Sequence, residues 1–223
     1  MKTNIRGEEF IINTNISMWV WPGLESWDKY TLNWIEKNRG LDTLWDIGAW
    51  IGPFTLYAAR LYKNVIAFEP DWVAFKALEQ HIIDNSLTNV TTIKLGMYNE
   101  ETQVNFGFIG EKYGDSLSSI NHPAPLGTKI KTTTIDAALL KYKRPDFIKI
   151  DIEGSEEYLI DDLVKHKFNR MCMSNHGPYM KDRKRFEKIL NEQLLPLYNC
   201  YSIKDEKVDF IPDDGDFYYE LKV

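Results

Sequence analysis

The sequence predicts an α/β fold in which a mostly parallel β-sheet carries helices on both faces. Short apolar runs rich in β-branched residues alternate with segments of helical spacing, which is typical of such a sheet. The chain has 223 residues, of which 43% are hydrophobic, so it is long enough to bury the core of one domain. We expect residues 1–40 to form an N-terminal cap on the substrate side and residues 41–223 to form the domain.

The first half of the domain has the most regular alternation of strands and helices. Residues 44–47 and 64–68 predict strands, and residues 54–62 predict the helix between them. Residues 72–85 predict a second helix because their apolar side chains recur at helical spacing. Residues 90–95 then predict a third strand.

Residues 100–125 break this pattern, because three glycines and two prolines interrupt any period. We predict a short strand at 103–108 followed by a long loop, and loops of such length usually have a function.

The second half of the domain returns to alternating elements. Residues 129–134 are β-branched and predict a strand, and Pro145 introduces a buried strand at 146–152. The other predicted elements are helices at 135–142, 155–165 and 183–195, and strands at 171–175, 198–203 and 217–223.

Composition and charge exclude several classes of partner. The formal net charge is −6 and no stripe of basic residues with interleaved aromatics stands out, so we expect no nucleic acid partner. No apolar run approaches the roughly 20 residues that span a bilayer, and the N-terminus lacks the apolar stretch of a signal peptide. We therefore expect a cytoplasmic protein without a membrane span. Cys172 and Cys200 lack metal-site spacing and are expected to be reduced core residues.

Four segments that can carry chemistry follow predicted strands, at 46–52, 69–71, 149–153 and 174–176. In parallel sheets, ligands bind beyond the carboxyl ends of the strands, where the strand order reverses. We therefore expect these four segments to meet at one edge of the sheet.

The segment Asp46-Ile-Gly-Ala-Trp-Ile-Gly52 joins a strand to a helix. Its two glycines allow a tight turn and a close approach to a ligand. Glu69 ends the next strand, 21 residues after Gly48, where a carboxylate can accept hydrogen bonds from both ribose hydroxyls. The alternative role for Glu69 is an acid that stabilises a helix N-terminus through the dipole.

The segment 147–153 places charged residues in an otherwise apolar strand. Lys149, Asp151 and Glu153 alternate with isoleucines, so they share one face of the strand. Charges in such a place are costly unless they are paired or bind a ligand. The alternative to a functional role is a purely structural ion pair.

Five segments match the motifs of a known family in order and in approximate spacing. They are Asp46-Ile-Gly-Ala-x-Ile-Gly52 with Thr55, Ala67-Phe-Glu-Pro70, Asn85-x-Leu-x-Asn89, Thr133-x-x-Asp136 and Lys149-Ile-Asp-Ile-Glu-Gly-x-Glu156. In these segments the chain resembles the FkbM-type methyltransferases, class I enzymes that mostly O-methylate hydroxyls of sugars and other small molecules.

The resemblance implies a Rossmann-like class I methyltransferase sheet of seven strands, the last of them antiparallel. It also implies that S-adenosylmethionine is the cofactor, with Glu69 on its ribose. The expected cofactor-binding residues are Asp46, Gly48, Trp50, Gly52, Thr55, Glu69, Pro70, Met97 and Asp151. Trp50 stands where the family usually has Asn, and Ser174-Asn-His176 departs from the family's frequent Glu-x-His, so the roles of these residues are open.

Methyl transfer to a hydroxyl needs a positioned nucleophile and a way to remove its proton. The candidate catalytic residues are Lys149, Asp151, Glu153 and His176. In one version, His176 or Asp151 is the general base and Lys149 orients the acceptor or a neighbouring carboxylate. In the other, Asp151 with Asn175 or His176 binds Mg²⁺ or Mn²⁺, which lowers the pKa of a bound hydroxyl.

The expected acceptor is a small molecule or a glycan with a sugar hydroxyl. Besides the resemblance, Trp19, Trp21, Trp27 and the loop 113–119 supply aromatic and polar groups that can contact a sugar. One alternative is a nicotinamide-dependent oxidoreductase, which is disfavoured because G-x-G-x-x-G is missing. The other is a non-catalytic module that binds an adenosyl ligand or a glycan. The chain is also compatible with a module of a larger glycan-modifying polypeptide.

Overall fold

The computed structural model describes residues 1–16, 18–108, 114–122 and 128–222. Its strands are β1 (Lys2–Ile5), β2 (Glu8–Ile11), β3 (Thr43–Ile47), β4 (Asn64–Phe68), β5 (Val90–Ile93), β6 (Gly96–Met97), β7 (Gln103–Asn105), β8 (Gly107–Phe108), β9 (Ser118–Ser119), β10 (Lys129–Thr133), β11 (Phe147–Ile150), β12 (Arg170–His176), β13 (Tyr198–Ser202), β14 (Lys207–Val208) and β15 (Asp214–Leu221).

The α-helices are α1 (Val20–Trp27), α2 (Lys29–Lys37), α3 (Pro53–Leu61), α4 (Trp72–Asp84), α5 (Ile135–Lys141), α6 (Ile160–His166) and α7 (Arg183–Ile189). Short 3₁₀ turns cover Ser155–Tyr158, Gly177–Tyr179 and Leu195–Leu197, and a π-helical turn covers Leu190–Leu194. The helix predicted at 155–165 is thus a 3₁₀ turn followed by α6. The helix predicted at 183–195 begins as α7 and ends in the π-helical turn.

The main sheet has the strand order β14-β13-β15-β12-β11-β3-β4-β5. Strands β12, β11, β3, β4 and β5 pair in parallel, and β15 is antiparallel to both β12 and β13. The predicted α/β class and its antiparallel strand are therefore confirmed. The sheet has eight strands rather than the predicted seven, because β14 adds two residues at the edge, too few to carry a sequence period.

The strands predicted at 103–108 and 129–134 lie outside the main sheet. They contribute β7 and β10 to a three-stranded sheet of order β6-β10-β7, and β8 pairs with β9. These small sheets follow β5 and bring residues 114–122 to the carboxyl end of the main sheet.

Two apolar cores lie on opposite faces of the main sheet, because successive side chains of a strand point to opposite sides. In β11, Phe147 belongs to the core that contains α1, α2, α3 and α4, whereas Ile148 and Ile150 belong to the core under α5, α6 and α7. Cys172 and Cys200 are buried and unpaired, as predicted. No helix of the described residues is both long and apolar enough to cross a membrane.

The N-terminal region forms the β1–β2 hairpin followed by α1 and α2. Trp21 is 1% exposed and packs in the core, so the proposal that it faces an acceptor is wrong. Trp19 and Trp27 are 56% and 47% exposed. Asp28 begins α2 by accepting a hydrogen bond from the backbone N–H of Thr31, which fixes Trp27 at the junction of the two helices.

The strand order reverses between β3 and β11, because β4 and β5 lie on one side and β12 on the other. The chain segments that follow β3, β4, β11 and β12 therefore meet at one edge, as the sequence predicted.

Candidate active site

The glycine turn after β3 packs directly against the end of β11. Gly48 has φ of +81° and a Cβ there would lie 1.9 Å from the backbone oxygen of Asp151. Gly52 has φ of +94° and precedes α3, and a Cβ there would lie 2.6 Å from Leu78. Only glycine fits such a turn without displacing its neighbours.

A buried ion pair supports the turn from below. Asp46 is 1% exposed, accepts a hydrogen bond from the Thr55 hydroxyl at 2.6 Å and lies 3.2 Å from the Lys149 ammonium. Lys149 also donates to the backbone oxygen of Gly48 at 2.8 Å. Burial opposes the charge of Lys149, but Asp46 and Asp151 raise its pKa above the ordinary value. The structure thus places Lys149, Asp46 and Thr55 beneath the turn, where they hold it in position.

Glu69 joins the glycine turn to the start of α4. Its two carboxylate oxygens accept hydrogen bonds from the backbone N–H groups of Trp50 and Asp71, each at 2.7 Å. Glu69 is 6% exposed, and burial raises the pKa of its carboxyl group to about 8. Glu69 thus contacts the region before α4 and also lines a cavity, so its position is compatible with both roles considered for it.

Trp50 is a non-glycine residue at φ of +50°, a conformation that costs energy for a large side chain. Its indole N–H donates to the backbone oxygen of Gly114 at 2.7 Å, and the Gly114 N–H donates to Asp71 at 2.8 Å. The turn after β3 and the turn before α4 therefore both hold residues 114–122 at Gly114.

The loop predicted at 113–119 is described from Gly114 onward, because Tyr113 lies outside the described residues.

Two adjoining cavities open at this edge of the sheet. The first contains Glu69, Pro70 and Met97 in its wall. The second has Trp27, Phe54 and Leu117 in its wall. Both are lined by Gly48, Trp50, Ser116, Asp151 and Glu153. These shared residues mark the passage between the two cavities. Among the expected cofactor-binding residues, Asp46, Gly52 and Thr55 do not line either cavity.

A charged cluster lies at the passage. The two ring nitrogens of His176 lie 3.1 Å from Glu156, 3.6 Å from Glu153 and 3.8 Å from Asp151. Burial opposes the protonation of His176, but these carboxylates raise its pKa to about 10. Burial and the neighbouring Asp151 raise the pKa of Glu153. The raised pKa favours the protonated form of His176 at neutral pH, and this form cannot accept the proton of a hydroxyl.

Asn175 does not join this cluster. It is 1% exposed and its side-chain amide donates to the backbone oxygen of Pro212 at 2.9 Å. Successive residues of β12 point to opposite faces, so Asn175 and His176 cannot both reach Asp151. The possible ligand atoms of Asp151, Glu153 and His176 lie within 4.8 Å of one another, as do those of Asp136, Asp162 and His166 away from this site.

Two contributors to the site had no individual role in the sequence analysis. Glu156 was included in a motif, and the structure shows that it is fully buried and binds His176. Ser116 was included only as part of the loop 113–119, and the structure places it in the wall of both cavities. The role of each depends on where a turn places the side chain.

Comparisons with known proteins agree with this architecture. A family model described as the methyltransferase FkbM domain matches residues 46–192, which confirms the resemblance. Among curated proteins, a probable ribosomal RNA small subunit methyltransferase A of Methanosphaera stadtmanae is 31% identical over 193 residues. That match covers 84% of this chain and 63% of the relative, so the chain spans less than two thirds of the relative's length.

Solved structures share the fold at low identity. A methyltransferase FkbM from Methylobacillus flagellatus has a TM-score of 0.51 at 20% identity, over 80% of this chain and 43% of that one. A precorrin-6y C5,15-methyltransferase from Geobacter metallireducens has a TM-score of 0.51 at 12% identity, over 99% and 98%. A 16S rRNA N2 G1207 methyltransferase of T. Thermophilus, in complex with AdoMet and guanosine, has a TM-score of 0.51 at 15% identity, over 100% and 50%.

The curated relative overturns the expectation that nucleic acid is not a partner, since it is named as a probable ribosomal RNA methyltransferase. That expectation used the net charge of the whole chain, which does not describe any local surface. The family match also removes the oxidoreductase alternative.

Proposed function

Because the chain belongs to the FkbM methyltransferase domain family, we propose that it transfers the methyl group of S-adenosylmethionine to a hydroxyl group of a sugar. The observation that carries the proposal is the position of Asp151 and Glu153. Both carboxylates line the passage between a cavity that contains Glu69 and a cavity walled by aromatic side chains. The methyl donor in the first cavity and the methyl acceptor in the second would meet at this passage. A group that takes the proton from the acceptor hydroxyl is therefore needed there.

The first cavity fits the methyl donor. A carboxylate has about four acceptor sites, so Glu69 can keep its two backbone partners and still accept from ribose hydroxyls. Pro70 and Met97 supply apolar surface in the same wall. S-adenosylmethionine would supply an electrophilic methyl group on a sulfonium, and the protein would supply position and proton removal.

Glu153 is the general base of this proposal. A base is most effective when its pKa lies near the working pH, and burial beside Asp151 moves the pKa of Glu153 upward in that direction. Its Oε2 atom lies 3.6 Å from the His176 ring and has no hydrogen-bond partner among the described residues, so it could accept a hydrogen bond from an acceptor hydroxyl. Protonated His176 limits the repulsion between Glu153 and Asp151. Lys149 lines the second cavity and also fixes the turn by donating to the backbone oxygen of Gly48.

In the metal version of the mechanism, the set of possible ligand residues differs from the set predicted from the sequence. Asp151, Glu153 and His176 would be the ligands, because Asn175 is held by Pro212. A divalent ion would bind there only after His176 lost a proton, which its raised pKa disfavours. The proposal therefore assigns proton removal to a carboxylate. The assay below is run both with Mg²⁺ and with EDTA to test this assignment.

Methylation of ribosomal RNA is a second candidate, favoured by the 31% identity to a protein with that name. The rings of Trp27 and Trp50 line the second cavity, and such rings can stack on a nucleobase as well as on the apolar face of a sugar.

One assay separates these possibilities. The purified chain is incubated with labelled S-adenosylmethionine and either a panel of glycosides or small-subunit ribosomal RNA, with Mg²⁺ or EDTA. Label transfer to glycosides in EDTA is the expected result. Transfer to RNA alone would replace the sugar proposal with the second candidate. Transfer in Mg²⁺ but not in EDTA would contradict proton removal by a carboxylate alone. Calorimetric binding of S-adenosylhomocysteine without any transfer would favour a non-catalytic binding module.

A further inference from the structure

An exposed pair of tryptophans adjoins the wall of the second cavity. Trp19 and Trp27 are each about half exposed, and their rings pack edge to face with centroids 5.6 Å apart. Trp27 lines the second cavity, whereas Trp19 is not part of its wall. The ring of Trp19 also lies 6.4 Å from the ring of Trp50, which lines both cavities. A continuous aromatic surface therefore leads from the passage, past Trp27, out to Trp19.

Gly23 leaves open space between these two tryptophans. Trp19 directly precedes α1, Gly23 lies four residues later and Trp27 ends the helix after four more, so the three residues follow one another along one side of α1. A Cβ at Gly23 would have no atom within 4 Å. Glycine inside a helix is less favourable than alanine, so helix stability does not account for this residue. The missing side chain leaves a shallow hollow beside the two rings.

The packing of α1 does not require the exposed pair. Val20, Trp21 and Leu24 hold this helix in the core, and each is at most 1% exposed. Trp19 and Trp27 keep about half of their surface in water, which reduces what their burial contributes to stability. Adjoining exposed apolar side chains are typical of binding surfaces. The pair is therefore better explained by a ligand than by folding.

The local charge favours an uncharged ring as the ligand of this pair. Residues 7–28 contain four acidic residues and no lysine or arginine. Lys29, the next cation along the chain, lies over the Tyr30 ring at 5.0 Å. A phosphate backbone gains its affinity from lysine and arginine, and this stretch of chain offers it none. A sugar ring needs no cation and has an apolar face that can cover an indole ring.

We propose that Trp19, Gly23 and Trp27 form an outer subsite for a second sugar ring, so that the acceptor is an oligosaccharide rather than a single sugar. The unit that is methylated enters the second cavity, and its neighbour covers the ring of Trp19 and the hollow at Gly23. This inference rests on the proposed sugar O-methylation and adds the length of the acceptor to it. Because the added contact is the same before and during methyl transfer, it should lower KM with little change in kcat.

The first test compares acceptors of one and of two sugar units. Methyl glycosides of glucose, galactose and mannose are each compared with the α- and β-linked disaccharides of the same sugar. We expect kcat/KM for at least one disaccharide to exceed that of its monosaccharide by about tenfold, through KM. If no disaccharide exceeded its monosaccharide, the outer subsite would be overturned and sugar methylation would stay intact. Absence of transfer to every sugar, with S-adenosylhomocysteine still bound, would instead refute the proposed function.

The second test assigns the gain to Trp19. Trp19→Leu is expected to lower kcat/KM for the preferred disaccharide by about tenfold and that for its monosaccharide by much less, because Trp19 lies outside the cavity wall. The matched control is Phe210→Leu, which shortens another aromatic side chain of similar exposure. Equal losses for the monosaccharide and the disaccharide in Trp19→Leu would contradict the assignment. Transfer to ribosomal RNA alone that also fell in Trp19→Leu would assign the pair to nucleobases instead of sugars.

The third test fills the hollow without disturbing α1. Gly23→Ala and Gly23→Leu both introduce residues of higher helix propensity, and Gly23 is not among the glycines with positive φ. Gly23→Leu is expected to lower kcat/KM for the disaccharide by about tenfold, because its side chain occupies the place of the second ring. Gly23→Ala adds one methyl group and should lower it less. Urea unfolding checks that both variants are folded, and equal kcat/KM in the two variants would mean that no sugar lies over Gly23.

Discussion

The two cavities of the site are built by different means. The wall of the first is tied together by backbone hydrogen bonds to Glu69, which join the segments that follow β3 and β4. The second brings together Trp27 at the end of α1, Phe54 of α3, Leu117 and Lys149. Its Trp27 side chain is half exposed, and burial and Asp151 raise the pKa of Glu153 in its wall.

The first cavity is therefore a preformed binding site, whereas the second completes its contacts only when a ligand is bound. The first cavity satisfies its own polar groups, so substitutions there should alter folding and cofactor affinity together. The second leaves charge and apolar surface unsatisfied, so substitutions there should alter turnover without unfolding the chain. Four predictions follow this contrast.

Glu153→Gln should have the largest effect on turnover. Removal of the proposed base is expected to slow methyl transfer by about 10²- to 10⁴-fold, since general base catalysis supplies an acceleration of that size. Affinity for S-adenosylhomocysteine should fall far less than turnover, although Glu153 also lines the first cavity, because proton removal acts on the acceptor and not on the cofactor. Single-turnover kinetics and calorimetry measure the two quantities. A normal single-turnover rate would exclude Glu153 as the base.

Lys149→Met should have the largest effect on stability. It leaves Asp46 buried without its counter-charge, and breaking such a pair costs about 3–5 kcal/mol. Urea unfolding measures the loss. Lys165→Met is the control, because Lys165 pairs with Asp136 at the surface, where solvent screens the pair, and its loss should cost far less than the loss of Lys149. Similar losses in the two variants would mean that the pair does not support the turn.

The affinity of the first cavity should depend on pH through Glu69. The raised pKa, about 8, means that the carboxyl group ionises as pH rises through 8, and only the ionised form accepts from both ribose hydroxyls. Affinity for S-adenosylhomocysteine should therefore rise between pH 6.5 and 8.5, by at most about tenfold per unit below pH 8. Calorimetry over this range measures it.

Glu69→Gln provides the control for this dependence. The amide cannot ionise, so the variant should bind more weakly, by about tenfold at pH 8.5, and with a flat pH profile. If the affinity of the variant rose with pH as steeply as that of the parent chain, a group other than Glu69 would cause the pH dependence.

Trp50→Asn should have the smallest effect. Asn tolerates positive φ better than Trp, but the substitution removes the hydrogen bond to Gly114. These effects oppose each other, so the free energy of unfolding should change by less than about 1 kcal/mol. Amide hydrogen exchange in residues 114–122 should nevertheless become faster, because one of the two bonds that hold Gly114 is lost. Unchanged exchange would mean that Trp50 does not hold this segment.

The sequence located the parallel strands of the main sheet because each carries a local signal. A buried parallel strand is apolar along its length, so residues 64–68 were predicted with the observed ends. The N-terminal hairpin and β14 were missed, since four-residue and two-residue strands are too short for a period. The small sheet of β6, β10 and β7 was also missed, because it pairs strands distant in sequence.

By itself, the sequence determined the glycine turn, the acidic residue that ends β4 and the charged residues that follow β11. These depend on short segments whose order along the chain fixes their place at the sheet edge. The tertiary structure alone decided the charge of His176, the direction of Asn175 and the place of Trp27 beside the second cavity. The reason is physical: a pKa depends on the burial and the charges that surround a group, and a cavity wall depends on which distant elements pack together.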